Sequence, residues 1–129
     1  MGKIDVLFLI DDDEDDQHVF AEALSEVDGS VDLLTASNGL EALEILKSAS
    51  SKLPDLIFLD LNMPKMNGKQ FLQEIKSSSD LSDIPVVIYS TSSAKTDKDE
   101  TLQLGASDFI VKPVSYGALC DTLHSVIHS

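Results

Sequence analysis

Short apolar runs alternate along this chain with longer stretches of helical spacing. Val6–Ile10, Val31–Ala36, Leu56–Leu59, Val86–Tyr89 and Phe109–Val111 are aliphatic-rich and have the length of strands. Most are apolar at successive positions rather than alternating, which suits a parallel sheet covered on both faces. Elsewhere apolar residues return every three or four positions. Val19, Phe20, Ala23, Leu24 and Val27 form one helical stripe, and Leu40, Leu43 and Leu46 a second. Phe71, Leu72 and Ile75 form a third, and Leu119, Leu123, Val126 and Ile127 the last. Thr101-Leu102-Gln103-Leu104 is weaker, with Gly105 placed to end it. Asn38, with Glu41 three residues on, reads as a capping box. Ser48–Pro54, Ser77–Pro85 and Ser90–Thr96 read as loops. The order is β-α five times, which predicts an α/β fold with right-handed crossovers. No loop is long enough to join two domains, so residues 1–129 are expected to form one.

Charge narrows the partners. There are 23 Asp plus Glu against nine cations, all of them Lys, for a formal net charge of −14. Nucleic-acid binding rests on Lys and Arg against phosphate, so it is disfavoured, and anionic membranes would repel the chain. An acidic chain suits a metal cation or a basic partner surface. The single cysteine, Cys120, has no internal disulfide partner and reads as a small core residue in a reducing compartment. No apolar run approaches the roughly 18 residues of a spanning helix, and no signal segment opens the chain. The expectation is a cytoplasmic protein.

Ligands of open α/β sheets bind beyond the carboxyl ends of the strands, so the residues after each run matter most. Asp11, Asp12 and Asp13 follow Ile10, and Asp60 follows Leu59, ahead of Leu61-Asn62-Met63-Pro64. Ser90, Thr91 and Ser92 follow Tyr89, and Lys112 and Pro113 follow Val111. Carboxylates from Asp11, Asp12 and Asp60 would repel one another if packed together. A hard divalent cation relieves that repulsion, and Mg²⁺ favours a few carboxylate oxygens plus water. One Asp can also be a nucleophile, forming an aspartyl-phosphate. Phosphoryl transfer then needs positioning and positive charge, which Mg²⁺, Lys112, Ser90 and backbone N–H groups after Asp60 could supply.

In these residues the chain resembles the receiver domains of two-component response regulators, most of all the stand-alone, chemotaxis-type members. The resemblance lies in the segment Leu56–Gly68, the acidic cluster Asp11-Asp12-Asp13 and the segment Gly105–Pro113, in that family's order and separation. It implies a flavodoxin-like, doubly wound sheet of five parallel strands in the order 2-1-3-4-5. It also implies Asp60 as phosphoacceptor, with Mg²⁺ (or Mn²⁺) held by Asp11, Asp12, Asp60 and the backbone carbonyl of Asn62. Lys112 matches the phosphate-binding lysine, Ser90 the switch hydroxyl and Phe109 the switch aromatic. Pro113 matches a proline usually preceded by a cis bond. The implied donor is a histidine kinase or a His phosphotransfer protein. The implied output is a downstream protein target met by the face at residues 97–128, with the chain a monomeric signalling module rather than an enzyme. No effector domain follows residue 129, so output is expected to pass through another protein, unless the receiver is excised from a longer chain.

Some residues depart from the family pattern. Phe109 lacks the hydroxyl of the commoner Tyr, Val114 stands where a Phe often follows Lys-Pro, and Tyr89 is a polar aromatic at a strand position usually aliphatic. Asp13 extends the acidic pair and is registered outside the metal's ligands. Glu14, Asp15 and Asp16 read as a solvated charge run favouring a helix start. His124 and His128, four apart, read as solvated helix residues.

Two other readings stand beside the receiver. A haloacid-dehalogenase-like Mg²⁺-dependent phosphatase would use Asp11 as nucleophile, since Asp11-Asp12-Asp13 contains an Asp-x-Asp pattern. A receiver-shaped scaffold would bind its partner without phosphorylation.

Overall fold

Strands and helices alternate from end to end in a computed structural model of the chain, which describes residues 3–48 and 53–128. The elements are β1 (Val6–Ile10), α1 (Glu14–Val27), β2 (Asp32–Ala36), α2 (Gly39–Lys47), β3 (Leu56–Leu59), α3 (Gly68–Ser77), β4 (Val86–Ser90), α4 (Lys95–Gln103), β5 (Asp108–Val111) and α5 (Tyr116–Ile127). All five strands are parallel, in the order β2-β1-β3-β4-β5. The loop expected over Ser48–Pro54 lies largely outside the described residues.

Strand periodicity builds two cores from one sheet. Phe8, Ile10, Ile57, Leu59, Val86 and Ile88 point to one face, where α2 and α3 bring Leu43, Leu46, Phe71, Leu72 and Ile75. Leu7, Leu9, Leu56, Phe58, Val87 and Tyr89 point to the other, where α1 and α5 bring Phe20, Leu24, Leu119 and Leu123. β1, β3 and β4 are buried along their whole length, as their unbroken apolar runs require. β2 and β5 are the sheet's edges and are half-exposed.

Local chemistry starts most helices where the pattern places them. The side chain of Asp13 accepts from Asp16 N–H, that of Asn38 from Glu41 N–H and that of Ser115 from Ala118 N–H. The capping box expected at Asn38 is only half formed, because Glu41 accepts from Ser37 N–H, one residue earlier. A complete box forms instead at Asn67 and Gln70, opening α3. Gly105 ends the α4 turn at φ +110°, a conformation that favours glycine. Ser90 and Asp108 extend their strands, Val31 falls outside β2, and Lys95 and Thr96 join α4 rather than the loop before it.

One expectation is corrected. The bond between Lys112 and Pro113 is not cis; no described peptide bond is. Trans is the lower-energy X–Pro state, and the chain adopts it here.

The strand register aligns the carboxyl ends of the inner strands. Ile10 pairs with both Ala36 and Leu59, and Ser90 pairs with Val111. Asp11 N–H donates to Ala36 O, Asp60 N–H to Ile10 O and Lys112 N–H to Ser90 O. Three backbone bonds thus carry the sheet one residue further and pin Asp11, Asp60 and Lys112 at one edge.

Candidate functional site

Asp11, Asp60 and Ser90 are buried at that edge, and Asp12 stands exposed beside them. One carboxylate oxygen from each of Asp11, Asp12 and Asp60 lies within 4.8 Å of the other two. Such hard oxygen donors, two of them buried, fit a divalent cation of the Mg²⁺ or Mn²⁺ type. Asp13 turns away from this group, because its side chain caps α1.

Lys112 is the cation among these acids, with only 12% of its side chain exposed. Its Nζ lies 2.8 Å from Asp11 Oδ2, 2.8 Å from Asp16 Oδ2 and 3.6 Å from Asp60 Oδ2. Burial alone would lower its pKa, but the hydrogen bonds to Asp11 and Asp16 outweigh that and raise it well above the usual lysine value. The same Nζ sits 5.6 Å from the centre of the Tyr89 ring. Tyr89 packs in turn against Phe20 and Phe58, and burial pushes its hydroxyl up to about 12.

Asp60 has a carboxyl pushed up to about 6. Burial is the main cause, and the nearby Asp11 charge adds to it. Lys112 and the backbone N–H groups of Asn62 and Leu61 pull the other way. At neutral pH Asp60 is therefore an ionised, poorly hydrated carboxylate facing an ammonium.

The loop after Asp60 is shaped by close approach. Gly68 N–H donates to Leu61 O, and a Cβ on Gly68 would collide with the Asp60 backbone and come within 2.8 Å of Leu61 Cα. Asn62 is exposed in that loop. Ser90 Oγ accepts from Ser92 N–H, so this buried hydroxyl organises the β4–α4 turn at the end of β4. Phe109 is not part of the acidic group. It is registered opposite Ile88 and packs, half-buried, on the α2–α3 side of the sheet.

Two contributors escape the sequence reading. Asp16, assigned there to a solvated run, is ion-paired with Lys112. Its position four residues before buried Phe20, on the stripe of α1 that faces the sheet, is the signal that marks it. Gln17 Nε2 donates to Asp11 O at 2.6 Å and to Ala36 O at 3.4 Å, tying α1 to the ends of β1 and β2.

Comparison with known proteins agrees with this geometry. Residues 7–124 match the family model described as the response regulator receiver domain. The chain is 31% identical over 122 residues to chemotaxis protein CheY1 of Helicobacter pylori (strain ATCC 700392 / 26695), covering 94% of this chain and 95% of that protein. The structure superposes on the crystal structure of a phosphorylated cyanobacterial phytochrome response regulator, RcpA, with a TM-score of 0.87 and 33% identity, covering 95% of this chain and 90% of that one. It also superposes on the Mn²⁺-bound form of response regulator Rcp1 with a TM-score of 0.84 and 30% identity, covering 95% and 91%. Other curated relatives are much longer, and the chain spans 13% of one and 47% of another.

Proposed function

The chain belongs to the response regulator receiver domain family, and from that premise we propose that it is a phospho-accepting response regulator with Asp60 as the acceptor. The observation that carries this is one gathering of groups: a buried carboxylate at Asp60, a Lys112 ammonium 3.6 Å from it, and the oxygens of Asp11 and Asp12 alongside.

The donor is a phosphohistidine on a histidine kinase or a His phosphotransfer protein. An Asp60 carboxylate oxygen attacks phosphorus, a P–O bond forms and the P–N bond breaks. The leaving imidazole takes up a proton. Asp60 must be ionised to attack, which its pKa of about 6 allows at neutral pH. Lys112 and Ser90 receive the phosphoryl oxygens. Later, water attacks phosphorus, inorganic phosphate leaves, and the carboxylate is restored.

Mg²⁺ (or Mn²⁺) would be held by Asp11, Asp12, Asp60 and the Asn62 carbonyl, and when bound it would supply positive charge against the transferring oxygens. The added charge on Asp60 biases Ser90 and Phe109, and with them the face at residues 97–128 that meets a downstream protein. Half-exposed β5 at the sheet edge and Val111, 47% exposed, support that choice of face. A monomeric, cytoplasmic signalling module acting on proteins rather than nucleic acid or membrane completes the proposal. Among the described residues no helix is long and apolar enough to cross a membrane.

The phosphatase reading has less support, because the Asp11 carboxylate is occupied by Lys112 and by Asp13 N–H. Intact-protein mass after incubation with acetyl phosphate separates the readings. A single phosphoryl gain is expected, absent with chelator and absent in Asp60→Asn. A gain that persists in Asp60→Asn would overturn the assignment.

A further inference from the structure

The mechanism above leaves Asp16 without a part. Its pair with Lys112 forms one wall of a cleft of about 170 Å³ that is also lined by Val19, Tyr89, Pro113 and Val114. An ammonium has three N–H donors. Lys112 has Asp11 and Asp16 each at 2.8 Å, while Asp60 stands at 3.6 Å, beyond hydrogen-bond reach. The ammonium is thus held between β1 and the first turn of α1, and stands off the carboxylate it faces.

We propose that Asp16 is a positioning residue that holds the Lys112 ammonium at the rim of the site, in competition with a phosphoryl group on Asp60. The inference rests on the reading of Asp60 as acceptor and Lys112 as its phosphate-binding cation.

Charge sets the direction. A phosphoryl group adds negative charge and acceptor oxygens on the Asp60 side of Lys112. Asp11 belongs to the carboxylate cluster suited to a cation, so a bound cation competes with Lys112 for it. Asp16 lies outside that cluster, and its hold on Lys112 persists. Asp16 also repels a phosphoryl group that approaches the same ammonium. Both effects disfavour the phosphorylated form, so removing the Asp16 charge strengthens phosphoryl binding. A merely structural ion pair acts in the opposite sense: its loss would loosen Lys112 and weaken phosphoryl binding.

Beryllofluoride, a stable phosphoryl mimic, titrated with Mg²⁺ into the full chain and followed by ¹⁹F NMR, tests this. Asp16→Asn is expected to bind the mimic about three- to tenfold more tightly than wild type. Asp16→Glu, which restores the charge, should stay within about twofold of wild type. Asp15→Asn, an exposed acid of the same turn that is not a partner of Lys112, should also change binding by less than about twofold. Unchanged or weaker binding by Asp16→Asn, or an equal gain in Asp15→Asn, overturns the inference. Failure of the underlying reading shows separately: Asp60→Asn would then bind the mimic as wild type does, or wild type would not bind it at all. Either result removes the acceptor assignment and the role of Asp16 with it.

Discussion

Gly68 has no room for a side chain, because its Cα faces the backbone of Asp60 and Leu61. Gly68→Ala is expected to cost roughly 2 kcal/mol or more and to impair phosphorylation by acetyl phosphate, since relief must come from moving the Asp60 loop. Urea denaturation and intact mass check the two effects. Asp60 itself carries a pH signature. Its folded-state pKa of about 6 lies above the ordinary 3.8, so its contribution to stability is full below about pH 4 and lost as pH rises through 6. Without divalent metal, Asp60→Asn should therefore be more stable than wild type at pH 7, by on the order of 2–3 kcal/mol, and the gain should vanish near pH 4. Paired urea titrations at the two pH values measure it. Asp11, Asp12, Asp60 and Lys112 were legible in the sequence because each lies within two residues of the carboxyl end of an apolar strand run. Asp16 was not, because in six consecutive acids the one on the helix's inner face differs from its neighbours only in phase. The trans bond before Pro113 shows the limit of resemblance: residue identity alone does not fix an X–Pro isomer.

Among the elements, α4 is the least anchored by apolar burial. Its only buried residue is Thr101, and no side chain caps its first turn. Polar contacts hold it instead. Lys69 of α3 reaches Asp97 at 2.8 Å and Glu100 at 2.7 Å, and Ser92 Oγ donates to Asp97 Oδ2 at 2.7 Å. Lys69→Met should lower amide-exchange protection in α4 ahead of other helices, by about 1 kcal/mol or less, and high salt should produce part of the same loss in wild type. Hydrogen exchange in low and high salt gives the comparison. The weakness of Thr101-Leu102-Gln103-Leu104 as an apolar stripe already pointed to this helix. The ion pairs could not be read from sequence, because they join residues 28 and 31 positions apart. The box at Asn67 and Gln70 has the same Asn-x-x-acceptor spacing as Asn38 and Glu41, so the spacing alone does not say which of the two closes.

At the scale of the molecule, alternating strands and helices were plain in the hydrophobic pattern, while the order β2-β1-β3-β4-β5 came from resemblance. Periodicity says which residues face a core and not which strands are neighbours. A net charge of −14 strains the whole fold, and three of its acids converge at one edge. Mg²⁺ should therefore stabilise wild type against urea unfolding, by about 1–3 kcal/mol at saturating concentrations, and do so far less in Asp12→Asn. The aromatic trio Phe20, Phe58 and Tyr89 has a different consequence. The chain has no tryptophan and two tyrosines, of which Tyr89 is buried in a rigid, asymmetric cluster with a cation 5.6 Å from its ring. Tyr116 stands outside the trio at 41% exposure, so Tyr89 is the tyrosine that gives the near-ultraviolet circular dichroism its ring-cluster signal. Any event that draws the ammonium away changes the field on that ring, which makes the chain its own optical gauge of occupancy, readable without a label.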